Sequence, residues 1–266
     1  MPRTASTEPV HVSTCASLVT GLLLAGLLAG CALPEGEPAT PQRPTYSFSP
    51  ATTAAGTWEL EAGAQLSPLD DYGEIPSTLK YGVDEHTEAA LTVSPLTSVD
   101  HSSGIGDTTL AWRHRFLDAE GRRPAVAWQA QLKLPTADEN RGLGSGHTDG
   151  WLALTAGGTS GAFGWNAYAQ AGALGQEHED ADFEGDLALV GSYTLDATNA
   201  FFAELSDRRV PEQDSVVDQL RLGHYITVRP DLVLDWSVWL PASDDAPDTI
   251  FAVGLTRNFG PRRARP

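Results

Sequence analysis

The chain has 266 residues, with 17 Lys and Arg against 35 Asp and Glu, so its formal net charge at pH 7 is −18. A surface of this charge repels phosphate backbones and argues against nucleic acid as a partner. The two cysteines, Cys15 and Cys31, lie at the start of the chain. The sequence after them can form no intrachain disulfide, so backbone pairing and side-chain packing must stabilise it.

The first 30 residues have the order of a secretory signal peptide, with Arg3 ahead of an apolar run over residues 17–30. This run is shorter than the roughly twenty residues that a transmembrane helix needs. It ends in Leu28-Ala29-Gly30-Cys31, which resembles the lipobox of bacterial lipoproteins. The resemblance implies lipidation of Cys31 and, with Ala32 next, anchoring in the outer membrane. The alternative is an ordinary secretory signal that contains a cysteine.

Residues 31–56 are rich in Pro, Ala, Thr and Glu and show no apolar periodicity. This composition is typical of flexible linkers. We therefore predict an extended tether between the lipid on Cys31 and a folded body that begins near Trp58.

From residue 57 to residue 259, apolar and polar residues alternate with the period of two that is typical of β-strands. In the first segment, for example, Trp58 and Leu60 share one face and Glu59 and Glu61 share the other. The pattern predicts strands near residues 57–67, 76–84, 88–96, 105–116, 124–135, 148–157, 162–174, 183–195, 199–206, 216–228, 231–240 and 249–259. With roughly nine to thirteen residues each, they are long enough for a tilted membrane-spanning strand, which needs about nine to eleven, and they exceed the five or six of soluble sheets.

The predicted connections alternate between longer and shorter ones, as in barrels with long external loops and short periplasmic turns. The longer ones are 68–75, 97–104, 136–147, 175–182, 207–215 and 241–248, and the shorter ones are 85–87, 117–123, 158–161, 196–198 and 229–230. We therefore predict an all-β, antiparallel, up-and-down outer-membrane β-barrel of about 12 strands over residues 57–259. A soluble β-sandwich or a lipocalin-like lipoprotein is the competing architecture.

The polar faces of these strands carry charged residues that would line the lumen of a barrel. In such a lumen, mixed charges either set the selectivity of a water-filled pore or pair across it and close it. The lumen-lining candidates are Glu59, Glu61, Lys80, Glu88, Arg113, Arg115, Lys133, Asp186, Glu204, Arg221 and Asp235.

No motif predicts catalysis, a metal site or a cofactor. Ser145, His147 and Asp149 contain the residue types of a hydrolytic triad, but nothing places the hydroxyl beside its base. The acidic runs at 177–182 and at Asp70-Asp71 lack the ordered spacing of a calcium loop. They are interpreted as solvated external loops, which divalent ions can bridge to lipopolysaccharide.

Several motifs in order carry a family resemblance: Gly104-Ile105-Gly106-Asp107, Leu132-Lys133-Leu134-Pro135-Thr136, Gly144-Ser145-Gly146 and the final segment 251–259. Their order resembles the transporter family of the phenol meta-degradation pathway, whose members are outer-membrane-like β-barrels. The resemblance implies passage or binding of small hydrophobic or aromatic compounds. The chain departs from the family at Ala137, where Gly is usual, and in its lipobox.

The last predicted strand resembles the signal by which outer-membrane barrels are recognised by their insertion machinery. Phe251, Val253, Leu255 and Phe259 supply its alternating apolar residues and its final aromatic ring. A basic tail over residues 260–266 follows. The expected partners are thus outer-membrane lipid, the insertion machinery and a small hydrophobic solute. The alternative function is a non-transporting outer-membrane lipoprotein with a closed barrel and a structural or interaction role.

Overall fold

The computed structural model describes residues 36–176, 181–211 and 214–260. The signal peptide, Cys31 and most of the basic tail lie outside these ranges. The strands are β1 (Trp58–Ser67), β2 (Tyr72–Glu74), β3 (Ser77–Gly82), β4 (Thr87–Val93), β5 (Thr97–Val99), β6 (Ser102–Gly104), β7 (Thr108–Leu117), β8 (Ala125–Leu134), β9 (Asp149–Ser160), β10 (Phe163–Leu174), β11 (Asp182–Thr194), β12 (Asn199–Val210), β13 (Ser215–Arg229), β14 (Leu232–Pro241) and β15 (Ile250–Asn258). A 3-10 turn lies at Glu139–Arg141.

Among the described residues, no helix is long and apolar enough to cross a membrane.

Twelve of the strands form a closed antiparallel barrel, which confirms the predicted fold class. Each strand pairs with the next along the chain, in the order β1, β3, β4, β7 to β15. The barrel closes where β15 returns to β1, in a ladder from Glu59 opposite Asn258 to Leu66 opposite Phe251. Because β15 pairs with β1, neither of these two strands presents an open edge along this ladder.

The two rims of the barrel differ. The short-turn rim carries the connections 83–86, 118–124, 161–162, 195–198 and 230–231, and the loop rim carries 68–76, 94–107, 135–148, 175–181, 211–214 and 242–249. Strands β2, β5 and β6 extend the wall at the loop rim, where loops were predicted at 68–75 and 97–104. They still join the ladder, as Gln65 opposite Glu74 shows. Their Ser, Thr and Gly residues lack the apolar alternation on which the prediction depended.

A further difference lies at the connection predicted as 207–215. Strand β12 continues to Val210 and β13 begins at Ser215, so the connection is reduced to 211–214. Asp207, Arg208 and Arg209 still pair with β13. Charged residues occur on both faces here, so the sequence lacks the apolar alternation that predicts a strand. Charged residues are compatible with a strand here because this end of the hairpin lies at the loop rim, where the Arg209 side chain is 60% exposed and pairs with Asp207.

The outer face of the barrel is apolar and exposed. Leu187 is 60% exposed and Leu152 is also 60% exposed, although both lie in the middle of strands. Other exposed side chains on this face are Leu79, Leu91, Leu110, Trp112, Leu132, Leu154, Trp165, Leu189, Leu205, Leu222, Trp236 and Phe251. A continuous apolar surface of this kind requires a lipid or detergent environment.

The inner face is polar, and residues 36–56, hereafter the luminal segment, lie against it. The segment bonds to Glu59 of β1, Glu88 of β4, Thr155 of β9, Glu204 of β12 and Asp235 of β14. These side chains belong to the face opposite the exposed apolar residues. A segment that contacts this face on strands all around a closed barrel must lie inside it. The prediction of a flexible tether over residues 31–56 is therefore wrong for the described part, because luminal side chains satisfy the polar groups of the segment.

Candidate functional site: a lumen occupied by the luminal segment

Strands β1 and β3 hold the beginning of the luminal segment through two carboxylates and one lysine. Glu59 accepts hydrogen bonds from the backbone N–H of Thr40 at 3.0 Å and from its hydroxyl at 2.9 Å. Glu61 accepts from the N–H of Gln42 at 2.8 Å. The Lys80 ammonium lies 2.5 Å from both carboxylates and donates to the carbonyl of Thr40 at 2.8 Å. The ammonium offsets one of the two buried negative charges, and all three groups fix the segment through their hydrogen bonds to Thr40 and Gln42.

Arg43 fixes the segment to the seam where the barrel closes. Its Nε donates to Asp235 Oδ2 at 3.2 Å, and its terminal nitrogen donates to the carbonyl of Val253 at 3.0 Å. Gly63 and Gly254 face each other across the seam, and a Cβ at either position would lie less than 2.5 Å from the guanidinium. The two glycines thus create the space that Arg43 occupies.

The turn at Tyr46 and Ser47 is bound by a single carboxylate on β12. Glu204 is fully buried and accepts from the N–H of Tyr46 at 2.7 Å, the N–H of Ser47 at 2.9 Å and the Ser47 hydroxyl at 2.6 Å. The guanidinium of Arg221, on β13, lies 3.6 Å from Glu204. It also stacks over the ring of Tyr46, with 5.1 Å to its centroid, and over that of Trp239, with 4.5 Å.

Phe48 is the apolar anchor of the segment. Its ring meets that of Tyr168 edge to face, with centroids 5.1 Å apart, and the Arg113 guanidinium lies 4.4 Å from its centroid. Its carbonyl accepts hydrogen bonds from Thr155 at 2.8 Å and Asn166 at 3.0 Å. A small buried cluster forms around this ring from Phe48, Ala153, Tyr168 and Ala188, with Tyr46 at its edge.

The end of the segment is held by β4 and β7. Glu88 accepts from the N–H and the hydroxyl of Thr53, both at 2.8 Å. Arg113 bonds the carbonyl of Ala51 at 3.0 Å and lies 3.5 Å from Glu88. Further toward the short-turn rim, Arg115 donates to the Thr52 hydroxyl at 3.1 Å.

At the short-turn rim, the turn residue Asp118 follows β7 and pairs with Arg115 at 2.8 Å. Its hydrogen bond with His86, together with that from Arg115, holds the pKa of Asp118 below its usual value.

Two of the sequence-predicted residues lie away from the segment's backbone, nearer the loop rim. Lys133 pairs with Asp149, lies 3.7 Å from Asp107 and donates to the Ser145 hydroxyl at 2.5 Å. Asp186 accepts from Gln170 at 2.6 Å, and its carboxylate interacts with the side-chain hydroxyl of Tyr46. The structure thus places all eleven candidates on the inner face, and all but Lys133 contact the luminal segment.

Sequence reasoning missed the luminal partners themselves. Arg43, Tyr46 and Phe48 were assigned to a featureless tether, and Glu184, which accepts from Trp151 at 2.7 Å and pairs with Arg208 at 3.0 Å, was not selected. A signal was present in the tether, because an arginine and two aromatic side chains are unusual in a linker of Pro, Ala, Thr and Glu.

Ser145, His147 and Asp149, which have the residue types of a hydrolytic triad, make other contacts in the structure. The Ser145 hydroxyl is bonded by Lys133 and accepts from the backbone N–H of His147, while Asp149 pairs with Lys133. In the part of the chain that the structure describes, no group of three or more His, Cys, Asp or Glu residues could hold a metal ion.

Solved structures with a similar fold are outer-membrane proteins. An outer membrane channel from Pseudomonas putida F1 has a TM-score of 0.64 at 13% identity, over 81% of this chain and 100% of that one. The KdgM porin, solved with disordered oligogalacturonate, has a TM-score of 0.56 at 8% identity, over 75% of this chain and 98% of that one. At these identities the similarity shows the fold alone.

No curated protein sequence matches this chain. A family model does match, over residues 74–259, which include eleven of the twelve barrel strands and most of the luminal charges. The chain therefore belongs to the family described as "Putative MetA-pathway of phenol degradation".

Proposed function

We propose that this chain is an outer-membrane channel for small hydrophobic or aromatic compounds, closed by its luminal segment in the form described above. One observation carries the proposal: the interior is filled by a separate stretch of chain rather than by the side chains of the wall alone. When such a stretch is displaced, a lumen remains. The description of the family and the channel among the similar folds support the same conclusion.

Single-channel recording in planar bilayers tests the proposal. We expect the full-length protein to conduct rarely, and a variant lacking residues 38–54 to conduct steadily, because the deletion removes the segment and leaves every barrel strand intact. A variant shortened in the loop-rim connection 242–249 serves as the control and should behave as the full-length protein does. A folded deletion variant without conductance or solute flux would refute the channel.

We further propose that the barrel lies in the outer membrane with a lipid on Cys31. The apolar outer face supports the first statement. For the second, Gly36 bonds Asp231 and Ala39 bonds Pro230, so the described chain starts at the short-turn rim. Five residues span at most about 18 Å, so a lipid on Cys31 could reach the leaflet beside this rim. Mass spectrometry of the mature N-terminus tests the modification, with Cys31→Ser as the control.

The second candidate function is a non-transporting lipoprotein with a structural or interaction role. The filled lumen favours it as well, since a permanently closed barrel needs the same contacts. Replacing Arg113 and Arg115 by Ala discriminates the two functions. Altered solute flux supports a channel, whereas loss of stability without any change in flux supports a closed barrel.

A further inference from the structure

A cavity of about 510 Å³ lies beside the luminal segment, toward the short-turn rim. Its inner side is formed by residues 41–51 of the segment, and its outer side by the wall from β8 to β13. Small residues of the wall, Gly157 and Gly164 among them, create the space. The segment lies against β1, β3 and β14 on its other side through Glu59, Lys80 and Asp235, and so leaves the lumen unevenly filled.

The lining of the cavity is uncharged over most of its surface. Thr159 and Ser192 contribute hydroxyl groups, and Phe202 and Tyr225 contribute rings whose centroids are 5.3 Å apart. The ionised side chains in the lining are Arg115 and Asp118, which pair with each other at 2.8 Å. An ion that entered would lose its hydration without gaining a free counter-charge, which is unfavourable. The lining therefore suits a neutral molecule.

The size of the cavity narrows the class of ligand. Pockets for small molecules have volumes of about 300–1,000 Å³, and a cavity of about 150 Å³ already accepts benzene. The cluster around Phe48 and Tyr168 lies where the segment meets β9, β10 and β11, nearer the loop rim than the residues with which these strands line the cavity. A ligand of one ring therefore fits between this cluster and the short-turn rim.

We propose that this cavity is a binding site for a small uncharged molecule with a ring-sized apolar body and a hydrogen-bonding group. The proposal rests on the proposed transport function, because the solute binds at this site on its path through the barrel. The glycine-lined wall admits the body of the ligand, the rings of Phe202 and Tyr225 contact it, and the hydroxyls of Thr159 and Ser192 bind its polar group.

The test measures binding to the folded, full-length protein in detergent by isothermal titration calorimetry at pH 7. The probes are phenol and cyclohexanol, both neutral, and benzoate, which is anionic and of similar size. We expect the two neutral probes to compete for one site and benzoate to bind at least roughly tenfold more weakly. Equal binding of benzoate would overturn the assignment to neutral molecules.

Two neighbouring residues of β11 give a matched pair of variants. Val190 lines the cavity, whereas Leu189 is 57% exposed on the outer face. Val190→Trp should abolish phenol binding and Leu189→Trp should leave it unchanged, with heat-modifiable gel migration confirming the fold of both. Thr159→Trp, at an exposed position in the cavity mouth, is a second blocking variant if Val190→Trp does not fold. Unchanged binding in the folded blocking variants would refute the site.

The binding result is independent of the channel result. Phenol binding that depends on Val190 in a protein without conductance would retain the site and reject transport. Conductance in the deletion variant without phenol binding would retain the channel and reject the site.

Discussion

Glu204→Ala is the substitution that most directly tests how the luminal segment is held. The carboxylate is fully buried and accepts three hydrogen bonds from Tyr46 and Ser47, at 2.6 to 2.9 Å. Its removal leaves the N–H groups of Tyr46 and Ser47 without their acceptor and Arg221 without its counter-charge. We therefore expect the segment to leave its place far more often, while the ladder between β12 and β13 persists through its backbone hydrogen bonds.

The size of the effect follows from the burial of the pair. Removing one partner of a buried ion pair costs about 3–5 kcal/mol, much of it from the charge that remains unpaired. At about 1.4 kcal/mol per factor of ten, the population with a released segment should rise roughly a hundred-fold to a few thousand-fold. Water that enters the released lumen reduces the cost, so the lower part of this range is the expected result.

Hydrogen exchange of the folded protein in detergent measures this population. Exchange of the Tyr46 and Ser47 amides should accelerate by the stated factor in Glu204→Ala and remain slow in the control Glu184→Ala. Glu184 is also a luminal carboxylate, but its hydrogen bonds come from Trp151 and Arg208. If both variants exchange at the wild-type rate, Glu204 does not hold the segment and the reasoning is refuted.

Further predictions concern stability and closure. Phe48→Ala should lower the free energy of unfolding by about 3–5 kcal/mol through its cavity, seen as a lower Tm in detergent; an unchanged Tm would contradict this packing. Lys80→Met should cost about 3–5 kcal/mol by leaving two carboxylates unpaired, seen as loss of the heat-modifiable gel form at lower temperature. Leu187→Arg should cost about 2–4 kcal/mol in urea titrations in lipid vesicles, and less in detergent. Gly254→Leu should expel Arg43 and raise single-channel open time, whereas Gly191→Ala, where a Cβ meets nothing within 4 Å, should not.

The strands could be predicted from the sequence because lipid and lumen impose opposite demands on successive residues. Leu187 and Asp186 are neighbours in the chain, yet one is 60% exposed to the outside and the other is buried inside. This contrast repeats along nearly every strand and needs no knowledge of distant contacts. The strand residues that the sequence did not predict, in β2, β5, β6 and the end of β12, lie at the loop rim, where apolar and polar residues no longer alternate.

The luminal segment could not be predicted in the same way. Its residues adopt no regular secondary structure, so periodicity gives no signal, and its composition matches that of a linker. What holds it is a set of partners that are distant in sequence, such as Glu204 for Ser47 and Asp235 for Arg43, at separations of 157 and 192 residues. The candidate charges lie on the inner face, and the partners of most of them depend on the three-dimensional path of the segment.

The contacts between the luminal segment and β1 have a consequence for the order of assembly. Thr40 and Gln42 lie only 19 residues from Glu59 and Glu61, whereas Ser47 lies 157 residues from Glu204. Loop-closure entropy favours the nearer contacts by about 2 kcal/mol. The segment can therefore settle on the first strand long before the last strand returns to complete the wall. The chain then wraps around its own beginning, and each newly assembled barrel enters the membrane already sealed.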